Sequence, residues 1–261
     1  MALSTTAYVY DDFLGDRKFE RPLIDLEQKL TSLNINGHIA RLALFRNARD
    51  LVTSLMSKGV TTVVIVGNDQ TLDKMMWFLP DLELTIGYIP MSEPSQIGHM
   101  MGIPTGVGAV DVVAARFIET FDVGTIDERY FLSEVALPAT IATVDIEGMY
   151  RLSTIHGGSI SIRNIGGYDA EGIHHADPKD GLLDVVITPQ LDAKPSRWKK
   201  EKSENTHTYI KNGKIVSPQP VDVRVDGHVL NGFEFRLGII PNKLRFITNR
   251  IKNLGETVPK V

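Results

Sequence analysis

The sequence predicts two domains: a doubly wound, Rossmann-like α/β domain, then a C-terminal antiparallel β-sandwich. Three observations predict it. Helix-like and strand-like segments alternate through the first 120 residues. The run Val60–Val66 is apolar without alternation, as in a parallel strand covered on both faces. From Phe121 the segments become short, β-rich and separated by turn residues. The expected boundaries are 1–120 and 121–261. Each half is long enough to bury a core of its own.

The first half reads in order. Ala7–Tyr10 is a short apolar strand. Pro22–Leu33 has apolar residues at Leu23, Ile24, Leu26, Leu30 and Leu33, a helical spacing with proline at the start. Ile39–Leu44 reads as a strand. Asn47–Lys58 places Leu51, Val52, Leu55 and Met56 on one side, and Gly59 closes the helix. Val60–Val66 is the central strand, Gln70–Phe78 a helix and Leu84–Ile89 another strand. Gly106-Val-Gly108-Ala109 opens a helix ending near Thr120 and carrying Val112, Val113, Ala115 and Ile118. It lacks the strand and third glycine of a dinucleotide fingerprint. In the second half the strands are Phe121–Ile126, Tyr130–Leu137, Thr140–Ile146, Tyr150–Ile155, Ile160–Ile165, Leu183–Thr188, Val221–Val225 and Leu244–Thr248. Asp145-Ile-Glu-Gly and Val225-Asp-Gly-His supply turns.

Composition excludes several functions. Lys plus Arg is 28 against 32 for Asp plus Glu, a net charge of −4, so a dedicated nucleic-acid binder is not expected. Cysteine is absent, which removes disulfides, thiolate zinc sites and cysteine nucleophiles. The N-terminus has no basic and apolar leader pattern, and no run of about 18 apolar residues occurs. A cytoplasmic address is the expectation. The composition leaves oligomeric state open.

The chemistry concentrates where Val60–Val66 runs into Gly67-Asn68-Asp69-Gln70-Thr71 and a helix. Free backbone N–H groups at such a helix start make an anion site. The plainer reading is a generic strand-to-helix turn with Asp69 as helix cap.

This segment resembles the Gly-Gly-Asp-Gly-Thr-Leu loop of diacylglycerol kinases and bacterial lipid kinases, relatives of NAD and sphingosine kinases. Ile86-Gly-Tyr-Ile-Pro90 followed by Met101-Gly-Ile-Pro104 is similar to the second nucleotide loop of that family. Phe121–Leu132, Asp177-Pro-Lys-Asp180-Gly-Leu182-Leu-Asp184-Val and Val225-Asp226-Gly227 resemble its later motifs, in the same order. The resemblance spans residues 45–248. It implies an active site in a cleft between the domains, with the C-terminal segment returning to the first domain. It implies ATP and Mg²⁺ as cofactors and a lipid substrate. Gly67, Asn68, Asp69, Thr71 and Ser95 would form the nucleotide side, and Asp226 would be the catalytic base. Asp177, Asp180 and the Leu182 carbonyl would hold a structural Mg²⁺. Local readings stand beside these: Asp226-Gly227 is also a favoured hairpin turn, and Asp177–Asp180 also reads as a solvated acidic turn.

The departures concern nucleotide binding. Asn68 and Gln70 replace two loop glycines. Asn tolerates a left-handed backbone, whereas Gln70 is expected to be strained there. Pro94 removes a donor and Glu93 adds a carboxylate where triphosphate is expected. Two unit charges at ~5 Å repel by about 3 kcal/mol at an effective dielectric of ~20. Tyr10-Asp11-Asp12 is acidic where the family has Asn-Pro, and His228 stands where it has a glutamate. Two functions therefore stand: an ATP-dependent lipid kinase, and a non-catalytic lipid- or nucleotide-binding protein of the same fold. Lys194–Lys202, with Trp198 among five bases, suggests a peripheral contact with anionic membrane against the plainer solvated loop. His174 and His175 suggest a metal, but neighbours on an extended segment point apart.

Overall fold

The computed structural model describes residues 5–42, 47–138, 141–154, 157–166, 176–190 and 205–249. Contacts divide the chain into two units. One comprises residues up to Phe121 together with those from Asn242, and the other Asp122–Pro241.

In the first unit, β1 (Thr5–Tyr10), β2 (His38–Arg41), β3 (Val60–Gly67), β4 (Thr85–Pro90) and the end of β14 (His228–Ile247) form a parallel sheet ordered β2-β1-β3-β4-β14. Helices α1 (Glu20–Ser32), α2 (Ala48–Met56), α3 (Asp69–Met76), α4 (Gln96–Met100) and α5 (Gly108–Ala115) connect or follow the strands. Apart from Thr61 every residue of β3 is buried, which is why its sequence shows no alternation. Helix α1 buries Leu23, Leu26 and Leu30. Helix α2 starts at Asn47, whose side chain accepts the Arg49 N–H at 3.0 Å, and its end is closed by Gly59 at φ +86°. The chain leaves β1 toward β2 on one side and places β3 on the other. That reversal is a topological switch point, and it lies at the carboxyl ends of β1 and β3.

The second unit is antiparallel. Strands β12 (Thr206–Ile210), β11 (Leu183–Pro189), β10 (Gly158–Arg163), β7 (Glu134–Leu137) and β13 (Asn212–Val225) pair in that order, and β13 pairs with β14. The first part of β13 pairs with β8 (Thr143–Ile146), which pairs with β9 (Tyr150–Ser153), and its last residues pair with β7. The register breaks between Val216 and Val221. A strand that changes partners at such a break turns the corner between the two layers of a sandwich. Val135, Leu137, Ile160, Ile162, Val185 and Phe235 are among the residues of its core. Alternating burial along β7 and β10 leaves the other face to Glu134, Ala136, Ser159, Ser161 and Arg163. Hairpin β5 (Ile118–Ile126) to β6 (Arg129–Phe131) needs Gly124, since a Cβ there would strike the Phe131 ring.

Several expected bounds shift. The helix expected to reach Thr120 stops at Ala115, because Arg116 turns left-handed at φ +51° and Ile118 begins β5. The strand expected over 130–137 is two strands. Between them the N–H groups of Leu132 and Ser133 go to the Asp226 carboxylate instead of a ladder. Strand β2 begins at His38 and ends at Arg41, and 43–46 lie outside the described residues. Val221–Val225 and Leu244–Thr248 are the ends of much longer strands, β13 and β14. Strand β12 and helix α4 add to the elements that the sequence pattern predicts.

Candidate active site

At the switch point β3 delivers Gly67, Asn68 and Asp69 to the start of α3. Asn68 caps the helix in an extended conformation, φ −121° and ψ 179°. Its Oδ1 accepts the Thr71 N–H at 3.0 Å, and its own N–H donates to Thr71 Oγ1 at 3.0 Å. This reciprocal pair satisfies two helix-terminal groups inside the protein. The fully buried Thr71 also donates its hydroxyl proton to Asp11 Oδ2, at 2.5 Å. Asp11 is held at the end of β1 by its N–H on the Val66 carbonyl, 3.0 Å. Gly67 is required because a Cβ there would run into the Thr71 side chain. Gln70 lies in the first turn of α3, exposed and with ordinary helical backbone. The strain expected at Gln70 is therefore absent: these loop positions are a helix start, not left-handed turns.

Asp69 opens α3 and reaches across to the second loop. Its Oδ1 accepts from Tyr88 Oη at 2.8 Å and Ser95 Oγ at 2.6 Å. Its Oδ2 accepts from the N–H groups of Gln96 at 2.7 Å and Ile97 at 3.3 Å. Ser95 Oγ in turn accepts the Gly98 N–H at 3.0 Å and caps α4. Burial, with the Asp69 charge beside it, pushes the Tyr88 phenol well above its ordinary value, so it stays protonated and donates. Asp69 is thus the clasp between the two loops. In the sequence Tyr88 carries no signal beyond its place in Ile86–Pro90, though a buried phenol in the apolar strand β4 requires a polar partner. Glu93 and Pro94 are exposed beside this clasp.

In the second unit Asp226 sits in the two-residue turn between β13 and β14, flanked by the pair Val225↔His228 and left-handed at φ +46°. Its Oδ1 accepts the N–H groups of Ser133 at 2.9 Å and Glu134 at 2.8 Å. Its Oδ2 accepts that of Leu132 at 2.8 Å, its single hydrogen bond among the described residues, which leaves a lone pair on that oxygen. Burial pushes the Asp226 carboxyl up, against the pull of the amide donors and with the Glu134 charge adding to the rise. A basic carboxylate aimed by fixed amides is equipped to take a proton.

Asp177, Asp180 and Leu182 lie on one loop before β11. Asp177 Oδ1 accepts the Lys179 N–H at 3.1 Å, and Asp180 Oδ1 the Leu182 N–H at 2.9 Å. The Asp180 carboxyl is pushed up by burial and by the negative charges of Asp177, Asp184 and Asp122. Among the described residues no three His, Asp or Glu side chains converge as metal ligands. An ion here would take two carboxylates and a carbonyl, a hard oxygen set that suits Mg²⁺ with waters completing its shell. The charge crowding on Asp180 fits such an ion. His174, His175 and the Lys194–Lys202 loop lie outside the described residues.

No protein-family model matches the chain. Among curated proteins it is 25% identical to a lipid kinase YegS-like protein of Xanthomonas oryzae pv. oryzae, over 76% of this chain and 82% of that one. It is 22% identical to a diacylglycerol kinase of Staphylococcus saprophyticus, over 57% of this chain and 50% of that enzyme. Its fold matches the crystal structure of a diacylglycerol kinase from Bacillus anthracis with a TM-score of 0.77 at 16% identity, over 96% of this chain and 98% of the other. The chain is similar in sequence to bacterial lipid kinases and diacylglycerol kinases, and it shares their fold. Asp69, Thr71 and Asp226 stand in the segments that carry the sequence resemblance, as do Gln70, Glu93 and Pro94. No helix among its described residues is long and apolar enough to cross a membrane.

Proposed function

We propose that this protein transfers the γ-phosphate of ATP to a lipid hydroxyl, that of diacylglycerol or a relative. The reading assigns the nucleotide to the Gly67–Thr71 and Ser95 loops and the base to Asp226. Asp226 Oδ2 would accept the hydroxyl proton as the lipid oxygen bonds to the γ-phosphorus and the bond between that phosphorus and the β,γ-bridging oxygen breaks, releasing ADP. A base of this kind contributes ~10²–10⁴ in rate, and a raised carboxyl pKa brings it closer to working pH. Mg²⁺, when bound, would neutralise phosphate charge. Asp177, Asp180 and the Leu182 carbonyl would hold a separate structural ion.

The observation that carries this reading is Asp226, half-buried in a left-handed turn and holding three amide donors among the described residues. The test is transfer of label from γ-labelled ATP to diacylglycerol in mixed micelles. Wild type should give labelled phospholipid. Asp226→Asn should cut turnover by ~10²-fold or more with nucleotide affinity nearly unchanged.

A second reading, a non-catalytic binding protein, has its own support. The hydroxyls of Thr71 and Ser95 and both Asp69 oxygens are already engaged within the protein, and Asp11 adds a carboxylate at the same loop. Calorimetric titration with ATP and Mg²⁺ separates the two. Micromolar binding favours the kinase, and absence of binding favours the second reading.

A further inference from the structure

Asn164 follows β10 and is fully buried. Its Nδ2 donates to the carbonyl oxygens of Asp122 at 2.9 Å and Leu132 at 3.0 Å. Its backbone N–H donates to the Ser133 carbonyl at 2.9 Å. Its Oδ1 has no hydrogen-bond partner among the described residues. The fold therefore uses the donor half of this amide. A carboxylate of the same shape would face two carbonyl oxygens, and an apolar side chain would strip both carbonyls of a donor.

The carbonyls it engages belong to particular peptide units. A peptide group is planar, so fixing the C=O of one residue fixes the N–H of the next. The Leu132 carbonyl shares its plane with the Ser133 N–H, and the Ser133 carbonyl shares its plane with the Glu134 N–H. Those two N–H groups are the ones bonded to Asp226 Oδ1. Asp122 anchors the other end. Its N–H donates to the Pro178 carbonyl at 2.7 Å, and its Oδ2 accepts the Gly181 N–H at 2.7 Å.

We infer that Asn164 is a positioning residue for Asp226: through the peptide planes it holds, it aims amide donors at that carboxylate. Its catalytic meaning rests on Asp226 acting as the base. Its geometric content does not. The charged group that bears on Asp226 is Glu134, whose carboxylate is held by Ser161 Oγ and, at 3.2 Å, Arg163 Nε, contacts that Asn164 does not make.

The test is a carbon-13 carboxyl NMR titration of the full chain without nucleotide or lipid, with the Asp226 signal assigned through Asp226→Asn. Asn164→Ala removes the side-chain lock on the Leu132–Ser133 peptide. It should raise the Asp226 apparent pKa by about 0.5–1 unit, because amide donors that favour the charged form lose their alignment. Asn164→Ser, which keeps a shorter donor, should fall between it and wild type, and serves alone if the alanine variant does not fold. Ile160→Ala empties the nearby core and should leave the Asp226 titration within 0.2 unit, marking the effect as specific. An unchanged Asp226 titration in a folded Asn164 variant overturns the inference, as does an equal shift in Ile160→Ala. Absent phosphotransfer with a shifted titration would overturn the proposed function and leave this inference standing.

Discussion

Asp69→Ala should unfold the first unit more readily than any nucleotide role would require. The carboxylate accepts four hydrogen bonds: from Tyr88, Ser95 and the amides of Gln96 and Ile97. Hydrogen bonds to a charged group contribute ~1.5–3 kcal/mol each, and a buried donor left unpaired costs ~1–3 kcal/mol. Tyr88 is buried to 1% exposure, so water cannot readily replace its partner. The bonds share one carboxylate and do not add fully, so the expected loss is about 3–5 kcal/mol. For a chain of this size that lowers Tm by roughly 10 °C. Asp69→Asn keeps an acceptor for Tyr88 and Ser95 but turns an NH₂ toward two N–H groups, and should lose about half as much. Urea unfolding followed by circular dichroism, with the slope checked for constancy, reads both variants. An Asp69→Ala protein within about 0.5 kcal/mol of wild type would refute the clasp.

Gly67→Ala should cost about 1–3 kcal/mol in the same assay, because its methyl group meets a Thr71 side chain locked by the capping box and Asp11. The raised Asp180 carboxyl means that folding shifts it toward its uncharged form relative to the unfolded chain. Its stabilising share is full below the ordinary carboxylate range and is lost as pH rises through the raised value. Asp180→Asn should therefore raise Tm over wild type at pH 7 and not at pH 3. Mg²⁺ should raise Tm at pH 7 in wild type alone, and scanning calorimetry with and without EDTA checks both. If the Lys194–Lys202 loop contacts membrane, co-sedimentation with vesicles containing anionic lipid should fall with salt and vanish in Lys199→Glu/Lys200→Glu. Equal sedimentation with neutral vesicles counts against it.

Elements built from local pattern were legible in the sequence. The uniform β-branched run of β3, the Leu23, Leu26 and Leu30 stripe of α1, and the Asn47 and Gly59 ends around α2 depend only on residues within a few positions. The order of segments also carried the two fold classes, because strand–helix alternation and clustered short strands pack differently. The roles of the site residues were a different matter. Asp69 reads as a phosphate-loop carboxylate or a helix cap until its partners 19 to 28 positions away are seen. Gln70 reads as a strained loop residue until Asn68 and Thr71 close the capping box and make it part of a helix. The break between β6 and β7 is invisible locally, because the amides of Leu132 and Ser133 leave the ladder for a carboxylate more than 90 positions later. Asn164 carried no signal, since its donors serve backbone carbonyls that any residue supplies. Periodicity is a property of the chain and survives in the sequence. Which backbone groups a buried carboxylate or amide satisfies is decided only when distant segments meet, because the hydrogen bond depends on distance and angle, not on residue type.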